Sequence, residues 1–294
     1  FETSSTIEEL IQSGVLSTLF RDLKTEKLPL DRPLYLHQRL AIEKVVKLDR
    51  NIVVATGTGS GKTEAFLVPI LNYLFEEAET GKLGPGVRAL LLYPMNALAN
   101  DQLARLRDLL KNVAYITFGR YTGETRESEK YALDLYRKVF QHEPNQNELI
   151  SREVMRNNPP HILLTNYAML EYLLLRPDDN VFFDGEYAGD WRFLVVDEAH
   201  TFTGAKGIEM AMLLRRLKDR VVGHQPGRLF CIATSATLGS DENDFPAVAK
   251  FAEQLFTERF EWDFENESRQ EVIKATRKPM TTLSQDNLAP DPNL

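Results

Sequence analysis

From about residue 50 to residue 235, short apolar runs alternate with longer amphipathic stretches. The runs are NIVVA (51–55), ALLLY (89–93), AYITF (114–118), HILLT (161–165), RFLVVD (192–197) and LFCIAT (229–234). Each is rich in Val, Ile, Leu and Phe and apolar on both faces, as expected of parallel strands covered on both sides. Between them the spacing predicts helices over 62–75, 97–110, 127–140, 148–156 and 208–221. In the last, Ile208, Ala211, Met212, Leu214 and Leu217 are expected to form the buried stripe. Strand and helix in alternation, joined by right-handed crossovers, give a doubly wound α/β sheet whose ligand sits at the carboxyl ends of the strands.

Outside this stretch, residues 1–30 read as an accessory helical segment with Ile7, Leu10, Ile11 and Leu16 as its apolar face. The main domain is expected over 31–258, with a charged helical insertion at 125–160 and a last helix over 246–256. Residues 259–294 read as a strand and linker leaving the domain, ending in the polar stretch TTLSQDNLAPDPNL. There is no internal repeat.

Composition narrows the classes. With 43% hydrophobic and 27% charged residues the 294-residue chain is ordinary for a globular protein. A single cysteine, Cys231, excludes a disulfide scaffold and a four-cysteine zinc site within it. No apolar run approaches the roughly 20 residues of a membrane span. The acidic start FETSSTIEEL lacks the basic region of a secretory signal, so a cytoplasmic protein without a membrane partner is expected. Phe1 in place of Met points to a fragment or a processed chain. The net charge of −8 argues against a generic nucleic-acid coat protein, because non-specific phosphate binding comes from Lys and Arg.

The chemistry is concentrated in two places. Directly after the first run stands Thr56-Gly57-Thr58-Gly59-Ser60-Gly61-Lys62-Thr63, followed by a helix. A glycine-rich turn between a buried strand and a helix N-terminus directs backbone N–H groups inward to cradle a triphosphate, and Thr58, Gly59, Ser60 and Gly61 supply them here. Lys62 is placed to reach the β- and γ-phosphates of ATP, and the Thr63 hydroxyl to ligate Mg²⁺. The strict pattern has Gly where Thr56 stands, yet Gly57 and Gly59 still permit the tight path. The second place is Asp197-Glu198-Ala199-His200, at the end of RFLVV and about 135 residues after Lys62. Two adjacent acids at the end of a buried strand cost desolvation energy unless a cation or substrate meets them. Asp197 suits the Mg²⁺ ligand and Glu198 the base that deprotonates an attacking water. A flexible turn and an N-cap with a solvated acid are the bland alternatives.

With these motifs in place, the chain resembles the superfamily 2 helicases and translocases over residues 35–240. Tyr35-Leu36-His37-Gln38 resembles the segment whose glutamine reads adenine, which makes Gln38 the candidate for base recognition; capping of a surface helix is the alternative. Tyr93-Pro94-Met95-Asn96-Ala97-Leu98-Ala99-Asn100-Asp101-Gln102 resembles motif Ia. Thr122-Gly123-Glu124 resembles motif Ib, and Thr165-Asn166 motif Ic. The resemblance implies that Pro94, Asn96, Gln102, Thr122, Gly123, Thr165 and Asn166 hold a nucleic-acid backbone. Ser235-Ala236-Thr237 resembles motif III, which implies coupling of the acid site to strand occupancy through Ser235, Thr237 and His200.

Closer phrases, among them ATGTGSGKTE, PPHILLTNYAMLEYLL and VVDEAHTFTGAKGIEMAMLLRRLK, resemble the Lhr-like and MrfA-like DNA helicases. That branch implies a RecA-like P-loop NTPase lobe, single-stranded or partly duplex DNA as partner, 3′ to 5′ travel, and a role in repair or defence complexes. It also implies a second RecA-like lobe carrying arginine fingers, for which the stretch beyond Thr237 is too short. The isolated chain is therefore expected to hydrolyse ATP at little above background. Alternatives that stay open are an ATP-gated DNA clamp, a translocase subunit of a restriction or defence complex and, more distantly, a small-molecule P-loop kinase. The arginines and lysine of the insertion, Arg126, Arg137, Lys138, Arg152 and Arg156, are either a solvated face or a contact for DNA or a partner.

Overall fold

The structure, a computed structural model, describes residues 1–57, 59–223, 225–238 and 241–276. In chain order its elements are β1 (Thr3–Thr6), α1 (Ile7–Gln12), β2 (Pro33–Tyr35), α2 (Leu36–Leu48), β3 (Ile52–Ala55), α3 (Lys62–Glu79), β4 (Ala89–Tyr93), α4 (Asn96–Leu110) and β5 (Phe118–Arg120). There follow α5 (Glu129–Phe140), β6 (Glu148–Leu149), α6 (Arg152–Asn157), β7 (Ile162–Asn166), α7 (Tyr167–Leu175), β8 (Phe193–Val196), α8 (Gly204–Val221), β9 (Phe230–Ser235), α9 (Phe245–Phe256) and β10 (Val272–Lys274).

Among the described residues, eight strands form one sheet in the order β10-β3-β9-β8-β4-β7-β5-β6, and every neighbouring pair runs parallel. The uniformly apolar runs conceal a period of two. Ile52, Val54, Leu91, Tyr93, Phe193, Val195 and Ile232 face one core, roofed by α1 to α4. Val53, Ala55, Leu90, Leu92, Leu194, Val196 and Ala233 face another, roofed by α7 to α9. Helices on both faces are therefore required by the sequence, and the fold is the expected doubly wound α/β sheet of RecA-like type.

Some elements depart from the sequence pattern. The run at 114–118 is a turn, and the strand begins only at Phe118. Val113 and Ile116 are apolar because they are buried under that turn. The turn is held by Asn147, whose amide nitrogen lies 2.9–3.0 Å from the carbonyls of Leu110, Val113 and Ile116. The helix expected over 148–156 starts as β6, because Glu148 is drawn inward by a bidentate pair with Arg107 at 2.7 Å; the Ser151 hydroxyl then caps α6. In α8 the buried stripe is Met210, Leu213, Leu214, Leu217 and Val221, whereas Ile208 and Met212 face solvent. The helix begins at Gly204, where Gly207 packs so close to the Phe202 carbonyl that a Cβ would lie 2.7 Å from it.

Residues 1–30 are held against the domain. Ile7, Leu10, Ile11 and Leu16 join the first core, and β1 pairs antiparallel with β2. The segment after 258 contributes β10 to the sheet edge beside β3, while 277–294 lie outside the described residues. No helix among the described residues is long and apolar enough to cross a membrane.

Candidate nucleotide and nucleic-acid site

β3 and β9 are neighbours in register, and the Thr56 amide donates to the Ser235 carbonyl at 3.0 Å. The phosphate loop, the acids after β8 and the hydroxyls after β9 thus meet at one end of the sheet. Gly59 and Gly61 take φ of +73° and +74°, backbone that side-chain-bearing residues rarely adopt. Thr56 and Ser60 brace the loop with a 2.6 Å hydroxyl pair. From outside, α2 grips it twice: His37 Nε2 donates to the Ser60 carbonyl at 2.8 Å, and Gln38 Nε2 to the Gly61 carbonyl at 2.9 Å. Burial pushes the His37 pKa down, so the ring is neutral at pH 7. The Gln38 side-chain oxygen accepts from the Tyr35 amide, and a Cβ on Gly61 would come within 2.3 Å of Gln38 Nε2. Thr58 lies outside the described residues.

Lys62 Nζ pairs with Glu198 Oε1 at 2.9 Å, joining the first turn of α3 to the acid site. Glu198 sits in left-handed backbone, φ +49°, which turns the chain sharply after β8. Thr234, unremarked in the sequence reading, holds both acids: its hydroxyl donates to Asp197 Oδ1 and accepts from the Glu198 amide. Its signal was its position, one residue before Ser235 in the adjoining strand. Burial raises the Asp197 pKa, opposed by that Thr234 hydrogen bond. His200 Nδ1 lies between Glu198 Oε2 at 3.3 Å and Ser235 Oγ at 3.2 Å. Ser235 Oγ in turn accepts from the amides of Thr237 and Leu238.

A second row of loops lies at the ends of β4, β5 and β7. Asn166 Nδ2 donates to Asn96 Oδ1 at 2.6 Å, and Asn96 Nδ2 to Glu124 at 3.1 Å. Gly123 is exposed at this row, and Asn96 and Pro94 are part-buried there. Other expected contacts turn inward. Thr165 is fully buried and its hydroxyl donates to the Tyr121 carbonyl at 2.7 Å. Thr122 is buried too, its hydroxyl accepting from the Glu124 amide. Gln102 points away from the row to Thr63 Oγ1, 3.3 Å from its amide nitrogen. Of the insertion's basic residues, Arg152 donates to the Thr122 carbonyl, Arg156 to buried Asp179, and Arg137 pairs with Glu143. Cys231 is buried, and burial raises its thiol pKa so that it stays protonated.

A parallel sheet with a glycine-rich phosphate loop joined to paired acids is the architecture of a P-loop nucleoside-triphosphate-binding protein. The profile of the family described as DEAD/DEAH box helicase matches residues 35–245, and the chain belongs to that family. It is 33% identical to Druantia protein DruE of Escherichia coli over 87% of this chain and 18% of DruE. It is 31% identical to ATP-dependent helicase Lhr-Core of Methanothermobacter thermautotrophicus over 68% of this chain and 21% of that protein. The crystal structure of DUF1998 helicase MrfA superposes with a TM-score of 0.59 at 25% identity, covering 92% of this chain and 33% of MrfA. These relatives put the chain in the Lhr/MrfA-like branch of superfamily 2, in the region of its first lobe. It spans about a fifth of the length of the curated relatives it matches.

Proposed function

We propose that this chain is the ATP-binding motor lobe of a DNA helicase or translocase, coupling ATP hydrolysis to movement along single-stranded DNA. The observation that carries the reading is the 2.9 Å pair between Lys62 and Glu198, which joins the phosphate loop to the acid site across the sheet end. The residues present fit ATP·Mg²⁺: the loop turns at positive φ without side chains at Gly59 and Gly61, and Asp197 is a part-buried carboxylate at the same end of the sheet. Mg²⁺ commonly takes one or two protein oxygens beside phosphates and water, as Thr63 and Asp197 offer. Bound there, the metal would neutralise phosphate charge. Lys62 would leave Glu198 for the phosphates, freeing that carboxylate to accept a proton from water. Gln38, beside Gly61, would read the adenine edge.

DNA is favoured as the track by the likeness to MrfA, a structure of which is described as bound to DNA. Asn96, Gly123 and Asn166 would hold the strand by its backbone, without a basic surface. A place in DNA repair or phage defence, and a second lobe supplying arginine fingers, belong to the same proposal. The test is Glu198→Gln in the full-length protein. ATP binding should persist while hydrolysis and strand displacement stop; retained turnover would place the base elsewhere. Hydrolysis without strand release by the wild-type protein would favour a DNA clamp.

A further inference from the structure

Gln102 was expected at the nucleic-acid backbone, and instead it reaches the nucleotide site. Three residues on, and so on the same face of α4, Arg105 pairs with Glu64. Both contacts land on the first turn of α3, one on the hydroxyl assigned to the metal and the other next to it. Glu64 extends the reach. Its Oε2 is buried without a hydrogen-bond partner and stands 3.1 Å from where a Cβ of Gly61 would be, beside the Gln38 amide. One face of α4 thus touches the metal end of the phosphate site directly and, through Glu64, the end that Gln38 occupies.

The other end of the same helix carries the strand row. Asn96, its first residue, is bonded to Asn166 and to Glu124. Six and nine residues separate it from Gln102 and Arg105, about 9 and 14 Å along a helix rising 1.5 Å per residue. α4 is buried along Ala99, Leu106, Leu109 and Leu110, so it is held as one packed rod. A displacement of Asn96 by a bound strand would have a route along α4 to Thr63 and Glu64 that does not run through the acid site or Ser235.

Resting on the functional reading above, we propose that α4 couples strand binding to nucleotide binding, with Gln102 and Arg105 as positioning residues that set Thr63 and Glu64. The experiment measures the affinity of the full-length protein for a fluorescent single-stranded oligodeoxynucleotide, with and without a non-hydrolysable ATP analogue and Mg²⁺. Coupled sites of this kind change affinity by about 5- to 150-fold. Arg105→Ala and Gln102→Ala should bring that ratio towards about 1 while strand affinity without nucleotide stays within about twofold of wild type. If Arg105→Ala fails to fold, Arg105→Met keeps the stem packing and carries the same test. Arg105→Lys, which keeps a cation near Glu64, should recover part of the ratio. Variants that keep the wild-type ratio would overturn the coupling role, as would a Gln102→Ala that weakens strand binding equally with and without nucleotide. Wild-type protein that binds neither ligand would instead sink the functional reading itself.

Discussion

Replacing Glu271 by Gln should stabilise the protein at pH 8 and leave it unchanged at pH 4. Glu271 precedes β10, and its carbonyl accepts from the Val53 amide at 2.8 Å, so it braces the strand that leads into the phosphate loop. Its side chain is buried, 1% exposed. Burial pushes its pKa from the ordinary 4.5 up to about 7, against the Glu261 amide at 2.7 Å and Arg50 at 3.4 Å, which favour the charged form. Below pH 4.5 the carboxyl is protonated whether the chain is folded or not, and it contributes nothing. Between 4.5 and 7 the folded state retains a proton that the unfolded state has released, so stability falls as pH rises through that window. Above 7 the folded protein carries the full cost, about 3 kcal/mol at 1.36 kcal/mol per pKa unit. Gln keeps the acceptor for the Glu261 amide and removes the charge. Arg50 keeps Glu261 as partner at 3.0 Å, so the loss of its longer contact subtracts only part of the gain. At about 2–4 °C per kcal/mol, the variant should melt several degrees higher at pH 8. The assay is paired thermal melts from pH 4 to 8. A difference that does not change with pH, or a variant less stable at pH 8, would refute the reasoning.

Three further substitutions address the site and its supports. Lys62→Ala removes the cation beside Glu198 and should abolish binding of a fluorescent ATP analogue; unchanged binding would refute the phosphate assignment. Thr234→Val takes from Asp197 its hydroxyl donor and from the Glu198 amide its acceptor. With hydrogen bonds to charged groups worth about 1.5–3 kcal/mol, ATPase turnover of the full-length protein should fall roughly tenfold or more, and steady-state turnover close to wild type would show that the acids need no such support. Asn147→Ala leaves three carbonyls of the 110–116 turn without their shared donor and should cost about 2 kcal/mol or more in a urea melt, with a midpoint equal to wild type counting against that role.

The layered fold was legible because burial on both faces leaves no polar alternation, so parallel strands announce themselves as continuous runs. The phosphate loop and the DEAH acids were legible because glycine at positive φ and adjacent carboxylates at a buried strand end have few other uses. The run at 114–118 misled for a related reason: apolarity reports burial, and Val113 and Ile116 are buried beneath a turn pinned by Asn147 from about thirty residues away. A window along the chain cannot hold that contact. In α8 the stripe was misjudged because Ile208 and Met212 share its spacing yet face solvent.

The residues expected to hold a strand posed the harder case. A hydroxyl or amide at a strand end has the same letter whether it faces a phosphate or satisfies the chain's own backbone, and buried backbone groups must be satisfied. Thr165 and Thr122 are used inward in that way, while Asn96 and Asn166, both part-buried, bond each other across the loops. Gln102 shows that even a residue within a recognised motif has its partner decided by helix phase. Six residues past Asn96 it has turned through about 600° at 3.6 residues per turn, which leaves it about a third of a turn round α4 from Asn96, on a different face. There it meets the first turn of α3, so that one helix carries Asn96 at its start and contacts to Thr63 and Glu64 further along.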